Sequence, residues 1–209
     1  GNTAVGYGAA RYIKGSYVAL GLEALRGVAD YSPASNNVAL GYYAGRSVDS
    51  GSKNTMVGMY AGQLIGDGDE NSFFGYLAGR YATGSNNVFI GDNAGYGASS
   101  APYSSGDYNT GIGHRALYSF TTGYQNVMIG SFTGDAITTG YNNTALGYAA
   151  LSAEDTGTRN VAIGNEALKV LNYDGAGYNV AVGHRAGYAL TTGTVNTFIG
   201  AFAGGATDD

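Results

Sequence analysis

The sequence predicts an all-β fold, a parallel β-solenoid of about twelve coils of about 17 residues each. Three observations predict it. An Asn-x-x-apolar-Gly motif recurs twelve times in 209 residues. Each copy has three or four β-forming residues before its glycine, enough for a short strand and too few for a helix. No crossover helix of about ten residues separates the copies, as a βαβ unit would require. A fixed repeat with that content must stack copy on copy to bury anything.

The motif glycines are Gly6, Gly21, Gly41, Gly58, Gly75, Gly91, Gly113, Gly130, Gly147, Gly164, Gly183 and Gly200, and six of the eleven spacings are 17. Before each glycine stands Val, Leu, Ile or Phe, as in Val38-Ala39-Leu40 and Val127-Met128-Ile129. The glycine ends the strand, through positive φ or a close backbone approach at a corner. Three residues later comes Ala in eleven of twelve copies, Thr133 being the exception, followed by Gly or Leu in most copies. A small residue suits a place where the next coil passes closely. The connector then carries Thr-Gly or Ser-Gly turns such as Thr122-Gly123 and Ser50-Gly51. Each coil is therefore expected to have two short strands and two turns. Four residues before the glycine stands Asn in eleven of twelve copies, Tyr17 being the exception. Stacked at about 4.8 Å, these amides should form a ladder, and twelve coils a rod of about 55–60 Å.

Alternate strand residues face opposite ways. The Ile/Leu/Val and Thr/Val columns share one face, and the Asn and Ala/Phe/Met columns the other. Both faces are apolar, yet a thin coil has one inside. A strand apolar on both faces is normally buried on both, so another copy of the chain is expected to cover the second face.

Asn2 to Tyr7, Asn143 to Tyr148 and Asn160 to Asn165 resemble the head repeats of YadA-type trimeric autotransporter adhesins. They are also similar to repeats of phage tail fibres and of bacterial fibres with a self-cleaving C-terminal chaperone domain. The resemblance spans essentially the whole chain, and the 17-residue period favours the tail-fibre-like branch. It implies a left-handed parallel β-roll, a side-by-side homotrimer, an extracellular place on a cell surface or virion tail fibre, and attachment. The motif residues it covers are structural, and none transfers a catalytic role.

Composition excludes other classes. The chain carries 37 glycines, 19 tyrosines, no cysteine and only 12% charged residues, with a net charge of −5. Nucleic acid is not an expected partner, because no basic patch is present. No apolar run approaches the ~18 residues of a membrane helix, so this segment is not expected to insert into a bilayer. One repeat domain, residues 1–209, is expected to be an excerpt of a longer fibre with its export and anchoring elements elsewhere.

Function is expected where the repeat is broken. Three connectors are long, Arg26–Asn36, Tyr96–Tyr108 and Lys169–Tyr178, and they hold both prolines, Pro33 and Pro102. They fall in copies two, six and ten. Protruding loops on a rigid scaffold commonly carry recognition. The candidate ligand-binding residues are Tyr31, Tyr103, Asp107, Tyr108, Asn172, Tyr173 and Asp174, with Asp30, Asn36 and Tyr178 beside them. Tyrosine offers a flat apolar face with a polar tip to a sugar ring. The expected ligand is a host or prey surface glycan or polymer, and the alternative role is a spacer holding a receptor-binding tip. Tyr7, Tyr42, Tyr76 and Tyr148, just after the corner glycine, read as surface cover.

Other chemical signals are weak. His114 and His184 occupy equivalent positions in copies seven and eleven, too far apart to share a metal within one chain. Gly66 to Asn71 looks like a fragment of a calcium loop but lacks its spacing, so it reads as a solvated acidic turn. Gly111-x-Gly113-x-x-Ala116 imitates a dinucleotide fingerprint without the βαβ context. Glu154 and Asp155 are the nearest carboxylate pair for glycan hydrolysis, but adjacent strand residues point apart. Paired threonines such as 121–122 are too interrupted for a flat ice-binding array. The chain is thus expected to be no enzyme and to need no cofactor or metal.

Overall fold

The computed structural model describes residues 1–28 and 32–205. Twelve strands form one parallel sheet in chain order: β1 (Thr3–Val5), β2 (Tyr17–Leu20), β3 (Asn37–Leu40), β4 (Thr55–Val57), β5 (Ser72–Phe74), β6 (Val88–Ile90), β7 (Thr110–Ile112), β8 (Val127–Ile129), β9 (Thr144–Leu146), β10 (Val161–Ile163), β11 (Val180–Val182) and β12 (Thr197–Ile199). Pairing is column on column, as in Val127↔Thr144, Met128↔Ala145 and Ile129↔Leu146. The eleven strand-to-strand steps span about 53 Å at the usual spacing. Among the described residues, no helix is long and apolar enough to cross a membrane.

The corner glycines explain how a three-residue strand can end in register twelve times. All have φ between +117° and +140°. A Cβ on Gly41 would lie 2.6 Å from the Gly58 carbonyl oxygen, and one on Gly91 2.7 Å from that of Gly113. Positive φ and close approach act together, so no other residue fits. A turn follows, closed by the alanine N–H donating back to the glycine carbonyl, as from Ala94 to Gly91 at 3.3 Å.

The opposite side of the coil differs from the expected second strand. Among the described residues, that side holds four isolated bridges, Ile13↔Ser32, Val48↔Gly66, Ala82↔Ser104 and Thr158↔Ala176. The reason is backbone conformation. Residues two and four after each corner glycine have φ between +48° and +69°, which an extended ladder cannot contain. The main chain still bonds coil to coil: Tyr60 N–H donates to Tyr42 C=O at 2.9 Å, and Arg115 N–H to Asp92 C=O at 3.0 Å.

The Asn column is buried and forms the expected ladder. From Asn37 to Asn196, each Oδ1 accepts the main-chain N–H of the next asparagine at 2.8–3.2 Å. The Nδ2 groups mostly donate to turn glycine carbonyls, as Asn126 does to Gly140 at 2.8 Å. Tyr17 breaks the ladder, and Asn37 N–H turns to the Ser16 carbonyl.

The core holds a size complementarity. Where the mid-strand residue is large, the residue four after the glycine is Gly: Met56/Gly62, Phe73/Gly79, Phe89/Gly95, Met128/Gly134 and Phe198/Gly204. In four of the coils where the strand residue is small, that position is Leu: Ala19/Leu25, Gly111/Leu117, Ala145/Leu151 and Ala162/Leu168. A Cβ on Gly134 would lie 2.6 Å from Met128 Sδ. Three coils are small at both places, Ala4/Ala10, Ala39/Gly45 and Ala181/Gly187; Leu25 and Met56 of the adjacent coils reach into the second, and Leu168 and Phe198 into the third.

The sheet's inner face carries the Asn and Ala/Met/Phe columns, all buried beyond the first and last coils. Its outer face carries the Thr/Val and Ile/Leu/Val columns, half-buried or exposed throughout. The aliphatic column the sequence leaves unassigned thus faces outward, and neither outward column contains a charge.

Candidate functional site

The connector after β6, residues 96–108, is fixed at its stem by buried Ser104. Its Oγ donates to the Phe120 carbonyl at 2.6 Å and accepts the Ala98 N–H at 2.8 Å, while Thr83 N–H donates to its carbonyl at 2.7 Å. The segment 99–103 is left exposed on that stem.

Around the stem lies a row of aromatic rings. Tyr103 stacks on Tyr81 with centroids 5.9 Å apart, Tyr81 meets Tyr96 edge-on at 5.1 Å, and Tyr96 stacks on Tyr118 at 5.0 Å. Two arginines complete it. The Arg80 guanidinium lies 4.8 Å from the Tyr81 ring and 4.9 Å from Tyr60, and that of Arg115 lies 4.3 Å from Tyr118. Burial raises the Tyr81 phenol above its ordinary pKa, and a hydrogen bond with Tyr96 adds to the shift. The Tyr81 ring therefore stays a neutral amphipathic surface through the physiological range. Strand pairing and the corner turns set this spacing, because Tyr81, Tyr96 and Tyr118 project from near-equivalent positions of three successive coils, and Tyr103 comes from the long connector of the middle one.

Tyr103 was legible from the sequence as a loop tyrosine. Tyr81, Tyr96 and Tyr118 were not, since they sit at ordinary repeat positions. Their signal is tyrosine five or six residues after the glycine in copies five, six and seven. Asp107, from the same connector, is tied down: its Oδ1 accepts the Ser85 N–H at 2.6 Å. Tyr108 is 60% exposed and faces solvent.

The connector after β10, residues 169–178, lies four strand steps away, about 19 Å along the stack. Asn172 is exposed and donates its N–H to the Thr191 carbonyl at 2.8 Å. Tyr173 is half-buried against the core. Asp174 accepts a hydrogen bond from Thr156 Oγ1 at 2.6 Å. These contacts seat the loop, and its residues do not join the tyrosine row. Tyr31 and Asp30 lie outside the described residues.

Glu154 occupies a core column filled elsewhere by Ile65, Phe120, Ile137 and Leu171, and it is fully buried. Its Oε1 accepts the Gly157 N–H at 2.7 Å and its Oε2 the Tyr173 N–H at 3.3 Å. Burial raises its pKa above the usual carboxylate value against these two bonds. A substrate has no access to it.

Tyr42, Tyr43 and Tyr60 pack on one another at a corner, Tyr42 and Tyr43 stacked at 4.1 Å. A hydrogen bond with Tyr43, then burial, pushes the Tyr42 phenol up to about 12. His114 and His184 are exposed and meet Phe132 and Phe202 edge-on. Asp67 and Asp69 accept main-chain N–H groups from Ser50 and Ser52. Among the described residues, no group of three or more His, Cys, Asp or Glu could hold a metal ion.

No family model, curated protein or solved structure matches this chain.

Proposed function

We propose that this chain is a segment of an extracellular fibre or adhesin that attaches to surface glycans, with three copies packed side by side as left-handed β-rolls. One observation carries the attachment reading: the Tyr81–Tyr103 and Tyr96–Tyr118 stacks, edged by Arg80 and Arg115, on a rigid scaffold. Tyrosine faces stack on the C–H faces of sugars, and their hydroxyls and the guanidinium N–H groups bond sugar oxygens. Preformed spacing keeps the ordering cost of binding low. The burial of Glu154 supports a non-catalytic role.

Self-association rests on the outer sheet face. Twelve aliphatic or aromatic side chains from Val5 to Ile199 line it, beside a column of Thr, Val and Ser, with no charge in either. An uncharged apolar stripe about 50 Å long exceeds what monomers usually leave in water. A second copy presents the same stripe at the same pitch, so the ladders match strand for strand.

A glycan array probed with this segment tests the attachment reading. Binding to a defined glycan set, weakened at least tenfold by Tyr103→Ala with Tyr81→Ala, is the expected result. No binding to any glycan would leave the spacer role.

A further inference from the structure

We propose that the valley formed by the connectors after β3, β4 and β5 is a binding groove for a neutral oligosaccharide lying parallel to the solenoid axis. This rests on the attachment reading for its ligand class, and it uses a surface separate from the tyrosine row. Ser50, Ser52 and Lys53 of the first connector, Asp69 and Glu70 of the second, and Ser85 and Asn86 of the third line a cavity of about 410 Å³. That volume lies in the range of small-ligand sites. The valley has a cause in the sequence. These three connectors are short, and those before and after them, residues 26–36 and 96–108, are long.

The floor is a polar ladder separate from the asparagines. Ser35 N–H donates to Ser52 Oγ at 3.0 Å, Ser52 N–H to Asp69 Oδ1 at 2.6 Å, Asp69 N–H to Ser85 Oγ at 3.0 Å, and Ser85 N–H to Asp107 Oδ1 at 2.6 Å. The fold does not demand it. Farther along the stack the same column holds Tyr124, Tyr141 and Thr158, and the two tyrosines simply stack at 4.7 Å. The ladder therefore exists where the groove is, and it holds the groove's carboxylates and hydroxyls in place before any ligand arrives.

The wall presents both donors and acceptors. Lys53 Nζ and Glu70 Oε1 pair at 2.7 Å, both well exposed, and Asn86 stands next in the same column. Beyond Asn86 comes exposed Tyr108, an aromatic face at one end. Sugar hydroxyls donate and accept at once, so they match such a wall. Asp67, Asp69, Glu70 and Asp107 stand in or beside the groove against the single ammonium of Lys53, so an acidic glycan is repelled. Three coils give about 10 Å of length, room for two linked pyranose rings.

The test is a ¹⁵N-TROSY titration of the segment with maltotetraose, cellotetraose, chitotetraose and tetragalacturonate. At least one neutral tetramer is expected to shift the amides of Ser50–Lys53, Asp69–Glu70 and Ser85–Asn86, and the galacturonate to leave them unmoved. Lys53→Ala with Glu70→Ala, both exposed, should weaken that binding at least tenfold, and Tyr103→Ala should not. Groove shifts from none of the neutral sugars would overturn the proposal. So would shifts from galacturonate, or from calcium alone with every sugar silent. Binding lost in Tyr103→Ala but kept in the double variant would overturn the groove and leave the attachment reading intact.

Discussion

Asn126 accepts the Asn143 N–H through Oδ1, and its Nδ2 reaches Asn109 Oδ1 and the Gly140 carbonyl. All of these groups are buried, and water cannot replace the amide. Asn126→Ala should therefore lower stability by about 3 kcal/mol in urea denaturation. Asn2→Ala, at the exposed first rung, should change it much less. Glu154 gives a pH signature. Its folded pKa is raised, so the native state binds a proton more tightly than the unfolded chain does. That contribution is present below the unfolded value of about 4.5. It is lost as pH rises through the folded value. Glu154→Gln should thus flatten the fall in melting temperature as pH rises above the unfolded carboxylate value, judged as the difference between variant and parent. An identical slope in both would remove Glu154 as its source. The corner glycine was legible at this scale because no other residue fits both its φ and its neighbour. The left-handed residues were not. Glu23, Tyr43, Leu77, Asn93, Arg115 and Phe132 share one conformation with no common chemistry. The coil-to-coil hydrogen bonds impose it, at a cost of order 1 kcal/mol each, so composition carries no signal.

A single coil is the element of this fold, and its packing rule is open to a swap. Met128→Ala should leave a cavity beside Gly134 and cost about 2–4 kcal/mol. Gly134→Leu should clash with Met128 and impose a left-handed φ of +54° on a leucine. The double variant reproduces the Ala145/Leu151 arrangement of the next coil, where Leu151 already has φ +54°. It should recover most of either loss, and a double-mutant cycle in thermal melting measures that coupling. Additive losses would contradict the size complementarity. The sequence displays the Gly-or-Leu alternation openly, yet its meaning depends on which strand residue points inward. The expected second strand failed for the reason given by the turn dihedrals. Short apolar runs such as Leu64-Ile65 and Val170-Leu171 look like strand, but positive φ two residues upstream or nearer prevents an extended ladder.

The whole molecule is a scaffold with an uncharged outer sheet and a decorated connector edge. Alternation in the strands predicted two apolar faces, and burial of the asparagines decides which one is inside. The edge was half legible. Long connectors located the loops, but the tyrosine row comes from different coils, and only stacking brings Tyr81, Tyr96, Tyr103 and Tyr118 together. Leu146→Glu together with Ile90→Glu places charge on the outer stripe at two exposed positions. In the self-associated form that charge would be buried without a partner. The pair should dissociate the assembly into folded monomers with an unchanged far-ultraviolet dichroism spectrum. The most direct test is the solution mass of the parent segment by light scattering at micromolar concentration. The account predicts three times the 21.3 kDa of one chain. A strictly monomeric mass would contradict it, because the outer aliphatic column would then face water in the functional form.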